Sequence, residues 1–204
     1  MKHWRLHLLL RAVPLALAGT LLAGLNTVSA ADLTIGATLP SFSLKNVGGQ
    51  TVKSDSFSSK PALVVVFADN HCTYCQAYQS RLNVLQNAYE PKGVQFVLIN
   101  PDVTIESLDA VQVDAVKASY PFPYLIDESQ SVAKAFGAVR MPEVFVFGPN
   151  EKLVYRGQID DNAEEKMVRR NDLKAALEAV LKGTPEAIAH PVTTPFGCSI
   201  KWRP

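Results

Sequence analysis

Cys72-Thr73-Tyr74-Cys75 stands between two stretches of different periodicity, and that junction constrains the chain more than any other segment. Before it runs Ala62-Leu63-Val64-Val65-Val66-Phe67, a continuous apolar stretch that predicts a strand buried on both faces. After it, Tyr74, Tyr78, Leu82, Leu85 and Tyr89 fall near one helical face, with Arg81, Asn83 and Gln86 elsewhere. Pro91-Lys92-Gly93 stops this helix, and Val94-Gln95-Phe96-Val97-Leu98-Ile99 follows as a second strand. Strand, helix and strand at this spacing predict a βαβ unit with a parallel pair and a right-handed crossover. Cys72 then falls at a helix N-terminus, where unpaired N–H groups and the helix dipole favour the thiolate. A thiolate attacks disulfides, and a second cysteine three residues on can resolve the mixed disulfide. The junction therefore predicts thiol–disulfide exchange, with Cys72 as nucleophile and Cys75 as resolving thiol.

The flanking segments read as follows. Phe42-Ser43-Leu44 and Thr51-Val52-Lys53 flank Asn46-Val47-Gly48-Gly49, a hairpin with a glycine turn. Ile105, Leu108, Gln112, Ala115 and Val116 give a second, weaker helical stripe, broken by Pro121-Phe122-Pro123. Tyr124-Leu125-Ile126 is extended, and Ser129 to Phe136 is a short helix ended by Gly137. Val144-Phe145-Val146-Phe147 and Leu153-Val154-Tyr155, around Gly148-Pro149-Asn150, predict an antiparallel hairpin. Leu173, Ala176, Leu177, Val180 and Leu181 repeat at helical spacing, with Asn171 or Asp172 to cap the helix and Gly183 to end it. Residues 184–204 form a proline-bearing tail.

Met1-Lys2-His3-Trp4-Arg5 is short and basic, a Leu/Ala-rich run reaches Leu25, and Val28-Ser29-Ala30 supplies small residues before Ala31-Asp32. This is the layout of a cleaved signal peptide over residues 1–30, leaving residues 31–204 as one domain in a periplasmic or otherwise extracytoplasmic space. The apolar stretch from Ala12 to Leu25 is short for a bilayer span, which needs about 20 residues, so membrane attachment is expected only through an uncleaved signal. Cleavage takes Lys2, Arg5 and Arg11 from the 20 basic residues, against 19 acidic ones, and leaves the chain slightly acidic. No basic face marks a nucleic-acid partner.

Export makes a structural disulfide the default reading of a cysteine, but a C-x-x-C bond closes too small a loop to stabilise much through chain entropy. Reactivity or metal binding explains such a pair better. A closed zinc site needs four ligands, and only Cys198, His71 and His190 stand ready to join, so no metal and no cofactor are expected. A soft-metal binding module or metallochaperone is the alternative from outside enzymology. His71, directly before Cys72, either favours the thiolate as an imidazolium or is a solvated loop residue. Asp69 is a proton shuttle near Cys75 or a loop acceptor. Asp160-Asp161 reads as a solvated loop after a strand. Cys198 is a resolving thiol delivered by the tail, a buried inert thiol or an intermolecular link; since Cys75 suffices as resolver, an auxiliary role is expected. Met141-Pro142 precedes a strand, where a proline costs no ladder hydrogen bond.

The order of elements, with C-x-x-C opening the first major helix and X-Pro before a hairpin, resembles the thioredoxin superfamily. The N-terminal hairpin and the insert between residues 100 and 126 resemble its redoxin branch, related to alkyl hydroperoxide reductase and thiol-specific antioxidant proteins. Four segments carry a narrower likeness to exported bacterial thioredoxin-like proteins: Asn70-His71-Cys72 with Tyr74; Phe122-Pro123-Tyr124-Leu125 with Asp127-Glu128; Tyr155 through Asp161; and Gly197-Cys198-Ser199-Ile200-Lys201-Trp202. The resemblance implies an α/β, three-layer thioredoxin-like fold: a central mixed sheet with helices on both faces, an N-terminal β-hairpin extension and a C-terminal tail. It implies a cis Pro142 facing the two cysteines, with His71 and Tyr74 in support and the Met141 backbone pairing with an extended substrate segment. The implied partners are exported protein thiols or disulfides and a redox protein that recharges the pair. The chain departs from thioredoxins proper in having His71 before the first cysteine and Thr-Tyr between the two. It departs from peroxiredoxins in having Asp69, not threonine, three residues before Cys72, which argues against efficient peroxidase chemistry; that chemistry is the enzymatic alternative. A Cys72–Cys198 bond would make the tail part of the mechanism and favour it.

Overall fold

β3 (Ala62–Phe67) is buried along its whole length and forms the middle of the sheet. A strand with no exposed face is filled with apolar side chains wherever no partner waits for a buried polar group, and each such Val, Leu or Phe contributes about 1.5–3 kcal/mol through burial. The structure, a computed structural model, describes residues 33–102 and 119–203. Around β3 lie β1 (Ser43–Asn46), β2 (Thr51–Lys53), β4 (Val94–Asn100), β5 (Tyr124–Ile126), β7 (Glu143–Phe147) and β8 (Leu153–Gly157), in the order β2-β1-β5-β4-β3-β7-β8. β3 pairs parallel with β4, from Ala62 opposite Val94 to Phe67 opposite Ile99, and antiparallel with β7. The predicted hairpins are β1–β2 and β7–β8. β5 joins the first hairpin to the sheet, parallel to β4 and antiparallel to β1, and the second is joined through β7.

Helix α1 (Thr73–Tyr89) buries Cys75, Tyr78, Leu82, Gln86 and Tyr89. Tyr74, assigned to that stripe by spacing, is instead exposed, because the first turn directs Cys75 and not Tyr74 into the protein. α2 (Ser131–Phe136) ends at Gly137, whose φ of 66° is left-handed. α3 (Asp172–Leu181) packs on β3, β7 and β8. Its N-cap residue is Asn171, but no side chain caps it; Asp172 spends its carboxylate on Gln158 Nε2 and Arg170 Nε. The architecture is the expected α/β thioredoxin-like fold with a mixed central sheet.

The tail is built into this frame. Residues 191–193 run along the β8 edge, Arg156 donating to the Pro191 carbonyl and Thr193 donating to the Arg156 carbonyl. Gly157 (φ +136°) permits this, since a side chain there would collide with Thr193. Beyond it, β9 (Cys198–Ser199) pairs antiparallel with β6 (Arg140–Met141) as a separate two-stranded sheet. The expected signal segment 1–30 and the helical stripe expected from Ile105 to Val116 lie outside the described residues. Among the described residues no helix is long and apolar enough to cross a membrane.

Candidate active site

The loop from β3 to α1 is shaped by one carboxylate. Asp69 Oδ1 accepts the main-chain N–H of His71 at 2.7 Å and of Cys72 at 2.5 Å, which turns the chain into the helix. Cys72 is the N-cap of α1 in extended conformation, and its carbonyl accepts the Gln76 N–H at 3.0 Å. Its sulfur therefore sits at the positive end of a helix of 17 residues. The Gln76 side chain reaches back to the Asn70 carbonyl at 2.8 Å and ties the loop to the first turn.

Cys75 faces the opposite way, into the protein, and is 1% exposed. Burial pushes its thiol far above the ordinary cysteine range, and the Asp69 charge adds to the effect. Burial likewise raises Asp69, against the pull of the two N–H donors. Tyr120 and Tyr124 share this interior space; burial raises both phenols, and Cys75 and Asp69 push in the same direction. The interior side of the junction thus favours protonated groups, while the helix end favours a thiolate at Cys72. Asp69 is the loop acceptor, at a site next to the buried thiol.

Met141-Pro142 is a cis peptide bond, and it lies against the cysteines. The Met141 carbonyl oxygen is 3.1 Å from Cys72 Sγ. Behind it, Glu143 is fully buried; it accepts the main-chain N–H groups of Val139 at 2.9 Å and Arg140 at 3.3 Å, and pairs with Arg156 at 3.2 Å. Burial raises Glu143, and these partners oppose the shift. This carboxylate holds the backbone of β6 in place.

Cys72 is bonded not to Cys75 but to Cys198, across a Cα–Cα distance of 5.9 Å, and Cys75 is a free thiol. That revises the expectation that Cys72 and Cys75 form the pair and Cys198 is auxiliary. The reason is tertiary: β9 places Cys198 opposite Met141, directly over the Cys72 sulfur, while Cys75 points into the core. The Met141 backbone, expected to pair with a substrate segment, pairs with the chain's own tail. His71 is exposed beside Cys72. Tyr74 packs edge-on against Phe196 of the tail with 6.1 Å between ring centroids.

The residues that hold the tail were not legible as site residues. Gln130 is fully buried and donates to the carbonyls of Pro101 and Lys201 at 2.9 and 2.8 Å, while its oxygen accepts the Arg203 N–H at 2.8 Å. Arg140 donates to Ser199 Oγ at 2.6 Å. Only Glu143 left a trace in the sequence, as a charge opening an otherwise apolar strand. Asp160, expected in solvated loop, is 2% exposed; it accepts from Tyr78 at 2.8 Å and pairs with Arg81 at 2.6 Å. Asp161 accepts the N–H groups of Arg169 and Arg170. The Asp160 contacts clasp the loop after β8 to α1, and those of Asp161 close that loop on itself. No group of three or more His, Cys, Asp or Glu suited to a metal occurs among the described residues.

Residues 35–156 match the AhpC/TSA family. An uncharacterised conserved protein from Geobacillus kaustophilus is 38% identical, with a TM-score of 0.77 over 84% of this chain and 94% of that one. The thiol-disulfide oxidoreductase ResA of Geobacillus thermodenitrificans is 26% identical over 141 residues, 68% of this chain and 76% of that protein. The chloroplastic peroxiredoxin Q of Sedum lineare is 28% identical over 137 residues, 63% of this chain and 72% of that protein.

Proposed function

The chain belongs to the AhpC/TSA family, and within it we propose that this member is a thiol–disulfide oxidoreductase with Cys72 as the exchanging sulfur. The observation that carries this is the position of Cys72: helix N-cap, sulfur beside the Met141 carbonyl, already engaged in a disulfide with Cys198 of the C-terminal tail rather than with buried Cys75. The likeness to ResA supports the same chemistry.

In the forward step the Cys72 thiolate attacks a partner disulfide. One partner sulfur bonds to Cys72, and the other leaves as thiolate. A second thiol of this chain then attacks Cys72 and releases the reduced partner, so that the chain gains the disulfide the partner lost. Cys198 is the first candidate for that second thiol, being already bonded to Cys72. Cys75 is the second: its attack on Cys72 of the mixed disulfide forms a Cys72–Cys75 bond and expels the partner sulfur as thiolate, with Asp69 beside Cys75 taking up the Cys75 proton and passing it to the departing partner thiolate. A dithiol partner of the same compartment returns the chain to its starting state. The partners are protein thiols and a redox protein, and the N-terminal segment 1–30 directs the protein out of the cytoplasm, in bacteria to the periplasm.

A thiol peroxidase is the second reading, favoured by the remote Cys72–Cys198 bond and by the likeness to peroxiredoxin Q. There, peroxide oxidises Cys72 to a sulfenic acid with release of water, and Cys198 condenses with it, releasing a second water. Asp69 at the position three before Cys72 weighs against it, since the resemblance to peroxiredoxins would place a threonine hydroxyl there to donate to the peroxide.

A redox titration quenched by alkylation and read by peptide mass tests the first reading. Reversible formation of a Cys72 disulfide at a defined potential is expected. A Cys72 that stays alkylatable at every potential would sink it, and fast second-order loss of the Cys72 thiol to hydrogen peroxide would select the peroxidase.

A further inference from the structure

The tail sits at the site in the manner of a bound peptide. Met141 lies opposite Cys198 and Arg140 opposite Ser199, and Ile200 donates to the Val139 carbonyl at 3.4 Å. Gly197 has φ +152°, and a Cβ there would collide with the Met141 carbonyl; no other residue fits directly before the cysteine. Ile200 is 4% exposed, so the position two after the cysteine is a filled apolar socket. Phe196 lies against Tyr74 and Tyr78, with 6.1 and 6.2 Å between centroids. Ser199, Lys201 and Trp202 are exposed.

We propose that Phe196–Ile200 is a built-in surrogate for the substrate. The β6 edge beside Cys72 accepts an extended, cysteine-bearing polypeptide segment with glycine immediately before the cysteine and a large apolar residue two positions after it. The tail must leave for that segment to enter. β9 is two residues long and pairs only with β6, so its departure breaks no pairing of the seven-stranded sheet. The inference rests on the exchanging role of Cys72 and adds to it the class of partner and the element that competes with that partner.

The test uses the reduced full chain carrying Cys198→Ser, in which the tail has no covalent hold. The probe is a synthetic peptide of residues 195–202 whose cysteine carries a 2-nitro-5-thiobenzoate group in disulfide linkage. Cys72 thiolate attacks the peptide sulfur, the new disulfide joins Cys72 to the peptide, and the aromatic thiolate leaves and is counted by its absorbance. Adding Gly197→Val, or in a separate protein Ile200→Asp, lifts the tail and should accelerate this reaction by about tenfold, the weight of two main-chain hydrogen bonds. Placing valine for glycine in the peptide should slow it by a similar factor. Equal rates for both peptides, or no gain from either tail variant with circular dichroism unchanged, would overturn the inference. If Cys72 of the Cys198→Ser chain fails to react even with the small disulfide 5,5′-dithiobis(2-nitrobenzoate), the exchanging role itself fails, and the two failures are thereby told apart.

Discussion

Replacing Cys198 by serine cuts a link between residues 126 apart in sequence. In the chain-entropy account, a loop of that size restricts the unfolded state by about 5 kcal/mol, whereas a bond between Cys72 and Cys75 would restrict it by only about 2 kcal/mol. The native state loses little else: β6–β9 pairing, the Gln130 contacts to Lys201 and Arg203, and the Ile200 socket all survive a sulfur-to-oxygen change. We therefore expect Cys198→Ser to lower unfolding stability by about 3–5 kcal/mol relative to the oxidised chain. With a slope of about 2 kcal/mol per molar urea, the midpoint should fall by roughly 2 M. Cys75→Ser is the contrast, because it leaves the Cys72–Cys198 link in place. Equilibrium urea unfolding of oxidised wild type and both variants, with thiol content measured in parallel, decides the matter. A loss under about 2 kcal/mol for Cys198→Ser, or a larger loss for Cys75→Ser, would refute the reasoning and return the disulfide to the C-x-x-C pair.

The remaining predictions concern buried charge. Arg81→Met strands Asp160 with Tyr78 as its side-chain partner and breaks the bonds to the carbonyls of Asn162 and Ala163, and should cost about 3–5 kcal/mol in denaturant titration; Arg81→Met with Asp160→Leu should recover most of it. Cys75, held protonated by burial, should resist iodoacetamide at pH 8 in the native reduced protein while Cys198 reacts, and should label only on unfolding; ready native labelling would contradict its burial. Asp69, Asp127 and Glu143 are all raised, each first by burial. A raised carboxyl stabilises the fold most when protonated, so this contribution is full below the ordinary carboxylate range and is lost as pH rises through the raised native values. Unfolding free energy should gain from these groups as pH falls from neutral toward the ordinary carboxylate range, and Glu143→Gln should flatten that gain; an unchanged pH profile in the variant would count against it.

The sequence by itself determined the βαβ unit, both hairpins and the helix of residues 172–181, because each follows from local periodicity and turn chemistry. β3 has no polar residue because it has no exposed face, and Cys72 falls at a helix end because the period changes there. Likewise, Gly137 and Gly183 mark helix ends through backbone conformations that a reader of sequence can anticipate. Tertiary structure alone decided which sulfurs meet. Cys75 is three residues from Cys72 and Cys198 is 126 away, yet the distant one is bonded, because β9 pairs with β6 and the first turn of α1 points Cys75 inward. The same holds for Asp160, whose burial needs Arg81 and Tyr78 from another element, and for Gln130, whose three partners lie in two remote segments. Hydrogen-bond satisfaction of a buried polar group is a property of what folds over it, and no spacing along the chain encodes that.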